Sequence, residues 1–369
     1  MNQLFRWDQM GLFLLALAAG ILPFAVPEVC AAALREGLTL CSGPLLLSLF
    51  PFLVVSRLLI QCPESDLLAL PFRLAAWGIG IRTPCAARVL CIGFLGGFAP
   101  AASAAAQAVR TGQLTAEEAD ALLPACICSG PSFVVLTVGQ SLLGSAELGV
   151  LLFASQITAN YLTAALLNRF AGVHSVKPGS AAPAFPAPPR LDEILADAAI
   201  TYCKLCGFIL FFRMLAAGAG ALLPAGAGTL CAVLLEVCSG CDLASRTGRW
   251  GSLLCCAALS VQGLSVLLQV RTICPPEMTL RPLYRSRLLH LPLSLALFYL
   301  LLPGGEADVF STLPARVLLM RRVPPDCALL VFAVCCMAAC TLRSGIRQVE
   351  QKQMARNAGG CCINSKTLL

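Results

Sequence analysis

The chain has 369 residues, of which 58% are hydrophobic and only 12% charged, about half the charged share of an average soluble domain. With a mean hydropathy of +0.82, that composition excludes a soluble globular protein. The formal net charge of +7, from 26 Lys+Arg against 19 Asp+Glu, falls between apolar runs and towards the end of the chain, where the retention of basic loops in the cytoplasm accounts for it without a nucleic acid.

Apolar stretches recur throughout, and a bilayer core takes about 20 apolar residues per helix. The expected fold is therefore all-α: a polytopic membrane protein of roughly eight to ten membrane segments, some of half length. The lipid bilayer is its first partner. Most of the 21 cysteines lie in apolar runs such as Cys255-Cys256 and Cys335-Cys336, where they act as small hydrophobes. The CxxC pairs Cys203/Cys206 and Cys238/Cys241 lack polar second-shell support, so neither a metal nor a cofactor is expected.

In chain order, residues 1–40 predict a transmembrane helix and loop; a signal peptide ending near Ala31 is disfavoured by Pro23, Pro27 and Glu28. A first membrane half follows over 41–171. It opens with a helix bent at Pro51 and an interfacial piece over 73–88. Arg57 and Arg73 either snorkel or face protein, and snorkelling is the expectation. Residues 89–109, with Gly93, Gly96, Gly97 and Pro100, read as a close-packed helix or as one broken in the membrane. Thr115 and Glu118 form a capping box that starts the next helix.

That helix meets the main interruption of the chain. Within LLPACICSGPSFVVLTVG, residues 122–139, Ser129-Gly130-Pro131 ends one half-helix and starts another, because proline suits a first helical position but not an interior one. Bare helix ends at membrane depth survive only inside protein or along a cavity, frequently a transporter's binding site. Residues 148–170 form a full span with Gln156, Asn160 and Thr163 on one face, either bonding helices together or lining a polar path.

Residues 172–190, rich in Pro, Ala and Gly, read as a linker. A second membrane half over 191–343 has an amphipathic start, a span over 199–223, and an interruption at Cys238-Ser239-Gly240-Cys241 that echoes Cys128-Ser129-Gly130. Two repeat-like halves with discontinuous helices are the expected arrangement, parallel or inverted. Glu236 is the carboxylate placed in the membrane, suited to coupling or gating, or to capping a helix end. A span over 250–270 carries Gln262, Ser265 and Gln269 on one face. Residues 271–287 form a basic loop, followed by spans over 288–302 and 327–342. His290 is interfacial or hydrogen-bonded. The basic tail, 344–369, is cytoplasmic.

Several of these stretches together resemble the sporulation integral membrane protein YlbJ family, related to transporters with nucleoside-recognition (Gate) domains. They are LFPFLVV (49–55), GFLGGF (93–98), GQLTAEEADALL (112–123), SGPSF (129–133), LLEVCSG (234–240), QGLSVLLQV (262–270) and YRSRLLH (284–290). The resemblance implies a transporter of a small anionic solute, dipicolinate, across the outer forespore membrane, working with a second copy of the chain or with other spore-envelope membrane proteins. Ile127 and Cys128 stand where the family pattern has two asparagines, and Gly97-Phe98-Ala99-Pro100 replaces a Gly-aromatic-Pro step. The expected substrate site comprises Ser129, Gly130, Pro131, Gln156, Asn160, Ser239, Gly240, Gln262, Ser265 and Gln269, with Glu236 coupling. A nucleoside transporter and a non-transporting scaffold are the alternatives. No enzyme is expected, because no HExxH motif or membrane Ser/His pair is present.

Overall fold

The computed structural model describes residues 2–61, 63–171 and 191–302. The expected linker over 172–190, the span over 327–342 and the basic tail lie outside them. The described chain is all-α and builds a multi-pass membrane protein. Ala146–Ala171, Leu191–Leu222 and Gly248–Ile273 are each long and apolar enough to cross a bilayer. Large apolar side chains such as Phe24, Phe170, Ile200 and Leu300 point outward, whereas Gln156, Asn160 and His290 are buried. That distribution suits a hydrocarbon surround.

Helix α1 (Asn2–Ala25) turns by 111° into α2 (Pro27–Ser42), so the expected loop before residue 40 is helical. The turn falls at Val26-Pro27, where proline fits the first turn of a new helix and disfavours helical backbone in the residue before it. Helix α3 (Pro44–Gln61) follows. Arg57 faces protein: its Nη1 lies 2.5 Å from Asp197 Oδ2, with the side chain 11% exposed. Helix α4 (Leu70–Gly78) is short. The interfacial piece expected to reach residue 88 stops before Pro84, because Arg88 is drawn into the protein by Asp66, 3.2 Å away, and by the Ile60 carbonyl at 2.8 Å.

Helices α5 (Pro84–Gly96) and α6 (Phe98–Arg110) fold back on one another about Gly97, whose φ of +81° suits glycine. A Cβ on Gly93 would lie 3.2 Å from the Ala101 methyl, so the two arms touch four residues either side of the tip. Of the two expectations for 89–109, the broken helix is observed, as a hairpin. The capping box at Thr115 and Glu118 starts α7 (Ala116–Cys126), which breaks over 127–130 and continues as a π-helix, Ser132–Leu142. Helix α8 (Ala146–Ala171) runs unbroken.

The same sequence of parts recurs. Helix α9 (Leu191–Leu222) is continuous, uniting the amphipathic start with the span. Helices α10 (Ala225–Leu235) and α11 (Val237–Ser245) form a second hairpin, in which a Cβ on Gly240 would meet the Val233 Cα at 2.8 Å. Its tip is Glu236; Ser239 and Gly240 lie in the first turn of α11, so the interruption expected at 238–241 sits earlier. Helices α12 (Gly251–Val261) and α13 (Gly263–Ile273) form one span interrupted at Gln262, which is left-handed at φ +65°. Helix α14 (Arg281–Leu301) starts well before the expected residue 288. Asp120 of α7 anchors that start, accepting from the Thr279 and Leu280 amides at 2.8 and 3.1 Å.

A hairpin, a broken span and an unbroken helix thus occur twice. Contacts between the halves are reciprocal: α7 meets α14 as α8 meets α12, the π-helix meets α11 as α6 meets α13, and α8 meets α14. Among the described residues three elements lie between the hairpins: α7 with its π-helix, α8 and α9, the last two each long and apolar enough to cross a bilayer alone. With the broken α7 span counted as the third crossing, an odd number puts the hairpins on opposite sides, the arrangement of an inverted repeat. The break at 127–130 therefore corresponds to Gln262, and the Glu236 tip to Gly97.

Candidate functional site

The interior site is built where side chains of α8 and α14 bridge the break after α7 and the break after α12. In the first half the Gly97 tip presses on the α7 break: a Cβ on Gly97 would lie 2.7 Å from the Gly130 nitrogen and 3.3 Å from the Cys128 carbonyl. In the second half, Gly263, φ +68°, faces the other tip, where a Cβ would lie 2.9 Å from the Leu235 carbonyl and 3.0 Å from the Glu236 nitrogen. Each hairpin tip is wedged against its neighbour's break. Only glycine permits that approach.

Broken helices leave carbonyls without intrahelical partners, and hydrocarbon supplies none. At the end of α7, Asn160 of α8 donates to the Ile127 carbonyl at 3.3 Å. At the end of α12, Arg287 of α14 donates to the Ser260 carbonyl at 3.5 Å. The two donors meet, Arg287 Nη2 donating to Asn160 Oδ1 at 3.2 Å. Ile127 and Cys128 contribute no amide side chain to the break, and Asn160 brings one from across the interface.

The sequence places Arg287 at the end of a basic loop. It is instead nearly two turns inside α14 and 8% exposed. Among the described residues it has no carboxylate partner. Besides Asn160 and Ser260, it reaches only the Ser286 hydroxyl, at 3.3 Å. The signal in the sequence is a polar face at 287, 290 and 294, spaced i, i+3 and i+7. His290 is fully buried, with Nε2 3.2 Å from the Gln156 carbonyl and Nδ1 without a hydrogen-bond partner among the described residues. Ser294 pairs with the Ser260 hydroxyl. Gln156 closes the cluster, donating to Ser260 Oγ at 3.1 Å and to the Cys256 carbonyl at 3.2 Å.

The predicted site residues therefore divide. Ser129, Gly130 and Pro131 form the break and adjoin the cluster of Gln156 and Asn160. Ser129 is 7% exposed and has no hydrogen-bond partner among the described residues. Gln262 lies two residues beyond Ser260 and is buried at the second break, its Oε1 unpartnered among the described residues. Ser265 and Gln269 bond to one another along α13 at 2.9 Å. Ser239 and Gly240 belong to the second hairpin.

Glu236 accepts from the Cys238 and Ser239 amides at 2.9 and 2.7 Å, with the residue 2% exposed. It caps α11 and sets its charge against the positive helix N-terminus. Of the two readings open from sequence, capping is the one the geometry supports; the carboxylate that was to couple transport is engaged by backbone. Comparison with protein-family models, curated proteins and solved structures finds no match for this chain.

Proposed function

We propose that the chain carries a small anion across the membrane, using the interior site between the α7 break, α8, α12 and α14. The observation that carries this reading is Arg287, a guanidinium buried in a membrane protein with only neutral acceptors around it. An uncompensated buried charge is expensive, and a diffusible anion is the partner that offsets that cost on binding. The inverted repeat with broken helices supports a transporter, since such folds bind solutes where discontinuous helices meet. Dipicolinate, the planar dianion implied by the motif resemblance, is the first solute to test, and the outer forespore membrane the first location.

The test is uptake of labelled dipicolinate by purified protein in vesicles. Wild type is expected to take it up, and Arg287→Gln to lose at least tenfold in rate while remaining monodisperse. Wild-type rates in Arg287→Gln would sink the assignment. Uptake of labelled nucleoside but not dipicolinate would redirect the substrate, and uptake of neither would return the scaffold reading.

A further inference from the structure

A second polar site lies away from the interior cluster, at the end of the bundle where α3, α6 and α13 finish and α9 begins. It is a cavity of ≈ 170 Å³, room for about five waters at about 30 Å³ each. Three cations line it, Arg57, Arg110 and Lys204, against one carboxylate, Asp197. Protein contacts use only part of this set. Arg57 spends Nη1 on Asp197 and extends Nη2 to Thr201 Oγ1 at 3.5 Å, but its buried Nε has no partner among the described residues. Arg110 makes one bond, to the Ile273 carbonyl at 3.4 Å. Lys204 is exposed and has no ion-pair partner among the described residues. Ser103 is 3% exposed, lines the cavity, and makes no hydrogen bond among the described residues.

We propose that this cavity binds a phosphate-class anion. The donors left to the cavity are the Lys204 ammonium, the Arg110 guanidinium and the Ser103 hydroxyl, with the Arg57 guanidinium adding positive charge beside them. That set matches an oxyanion carrying one or two charges, because phosphate offers several strong acceptor oxygens to Arg and Lys. The site is also at the basic end of the protein, with Arg82, Arg169, Arg271, Arg281 and Arg285 at the ends of neighbouring helices. Basic ends face the cytoplasm, where the leaflet is rich in anionic lipid. The phosphate belongs either to a lipid headgroup or to a soluble ion.

The experiment uses delipidated full-length protein, with melting temperature read against added phosphatidylglycerol, phosphatidylcholine or inorganic phosphate. Wild type is expected to be stabilised by phosphatidylglycerol or by inorganic phosphate. The apparent Kd should weaken at least tenfold in the Arg110→Ala, Lys204→Ala double variant, whose substitutions are both at exposed side chains. Arg246→Ala, at the other end of the bundle, should behave as wild type. Stabilisation by phosphatidylglycerol alone identifies a headgroup site; stabilisation by inorganic phosphate as well identifies a site for the free ion. The proposal is overturned by no stabilisation from either anion, by equal stabilisation from phosphatidylcholine, by an unchanged response in the double variant, or by an equal loss in Arg246→Ala.

Discussion

Asn160 and Arg287 meet side chain to side chain at 3.2 Å, and each also holds the carbonyl end of the broken helix in its own half. The two halves of the inverted repeat are thus joined by the same pair of groups that satisfies both breaks. Removing either group exposes a buried carbonyl and strands its partner. Asn160→Leu and Arg287→Met should each lower stability by about 1–3 kcal/mol. The double variant should cost less than their sum, with a coupling of about 0.5–3 kcal/mol. Thermal unfolding in detergent of wild type, both single variants and the double variant measures it; strict additivity would contradict the linkage.

Glu236 gives a sharper discrimination. If it serves as a cap, Glu236→Gln keeps an acceptor for one amide and should retain transport, with a small loss of stability. Glu236→Ala leaves both amides bare in a dry site and should cost about 1–2 kcal/mol. Transport abolished in Glu236→Gln at normal stability would restore the coupling role.

Wedged glycines predict a third pattern. Gly97→Ala and Gly263→Ala combine positive φ with a Cβ driven into backbone. Gly112→Ala has a similar φ, +70°, but open space around it. The first two substitutions should prevent recovery of folded protein. The third should cost only the conformational penalty, about 1 kcal/mol. Yield of monodisperse protein and melting temperature separate them.

The inverted repeat makes a topological prediction. The turns at Gly112 and Gly248 follow the first hairpin and the second, and both have open space. Short epitopes inserted there should lie on opposite sides of the membrane, with only the 248 insertion stained on intact cells. Staining of both, or of 112 alone, would contradict the arrangement.

Much of this was legible in the sequence, for identifiable reasons. The Ser129-Gly130-Pro131 break and the Thr115/Glu118 box are local signals, set by backbone chemistry within four residues. The second break was misplaced because Cys-Ser-Gly matched by letters, whereas the backbone interruption comes at Glu236, where the carboxylate itself caps the new helix. Arg287 was missed because its neighbours Arg281 and Arg285 are surface cations; only the helix starting at Arg281, anchored by Asp120 from α7, turns 287 inward. Whether a glycine-rich segment crosses the membrane or returns is decided by packing, as at Gly93 against Ala101, and no periodicity reports it.

The two hairpin tips hold equivalent places in the fold but differ electrically. The α11 N-terminus faces a carboxylate that travels with it, while α6 starts at Gly97 with no side chain capping it. A negative solute would therefore be drawn to one tip and find the other already neutralised. A twofold scaffold so equipped has a built-in polarity: its two orientations would not be mirror images for an anionic solute.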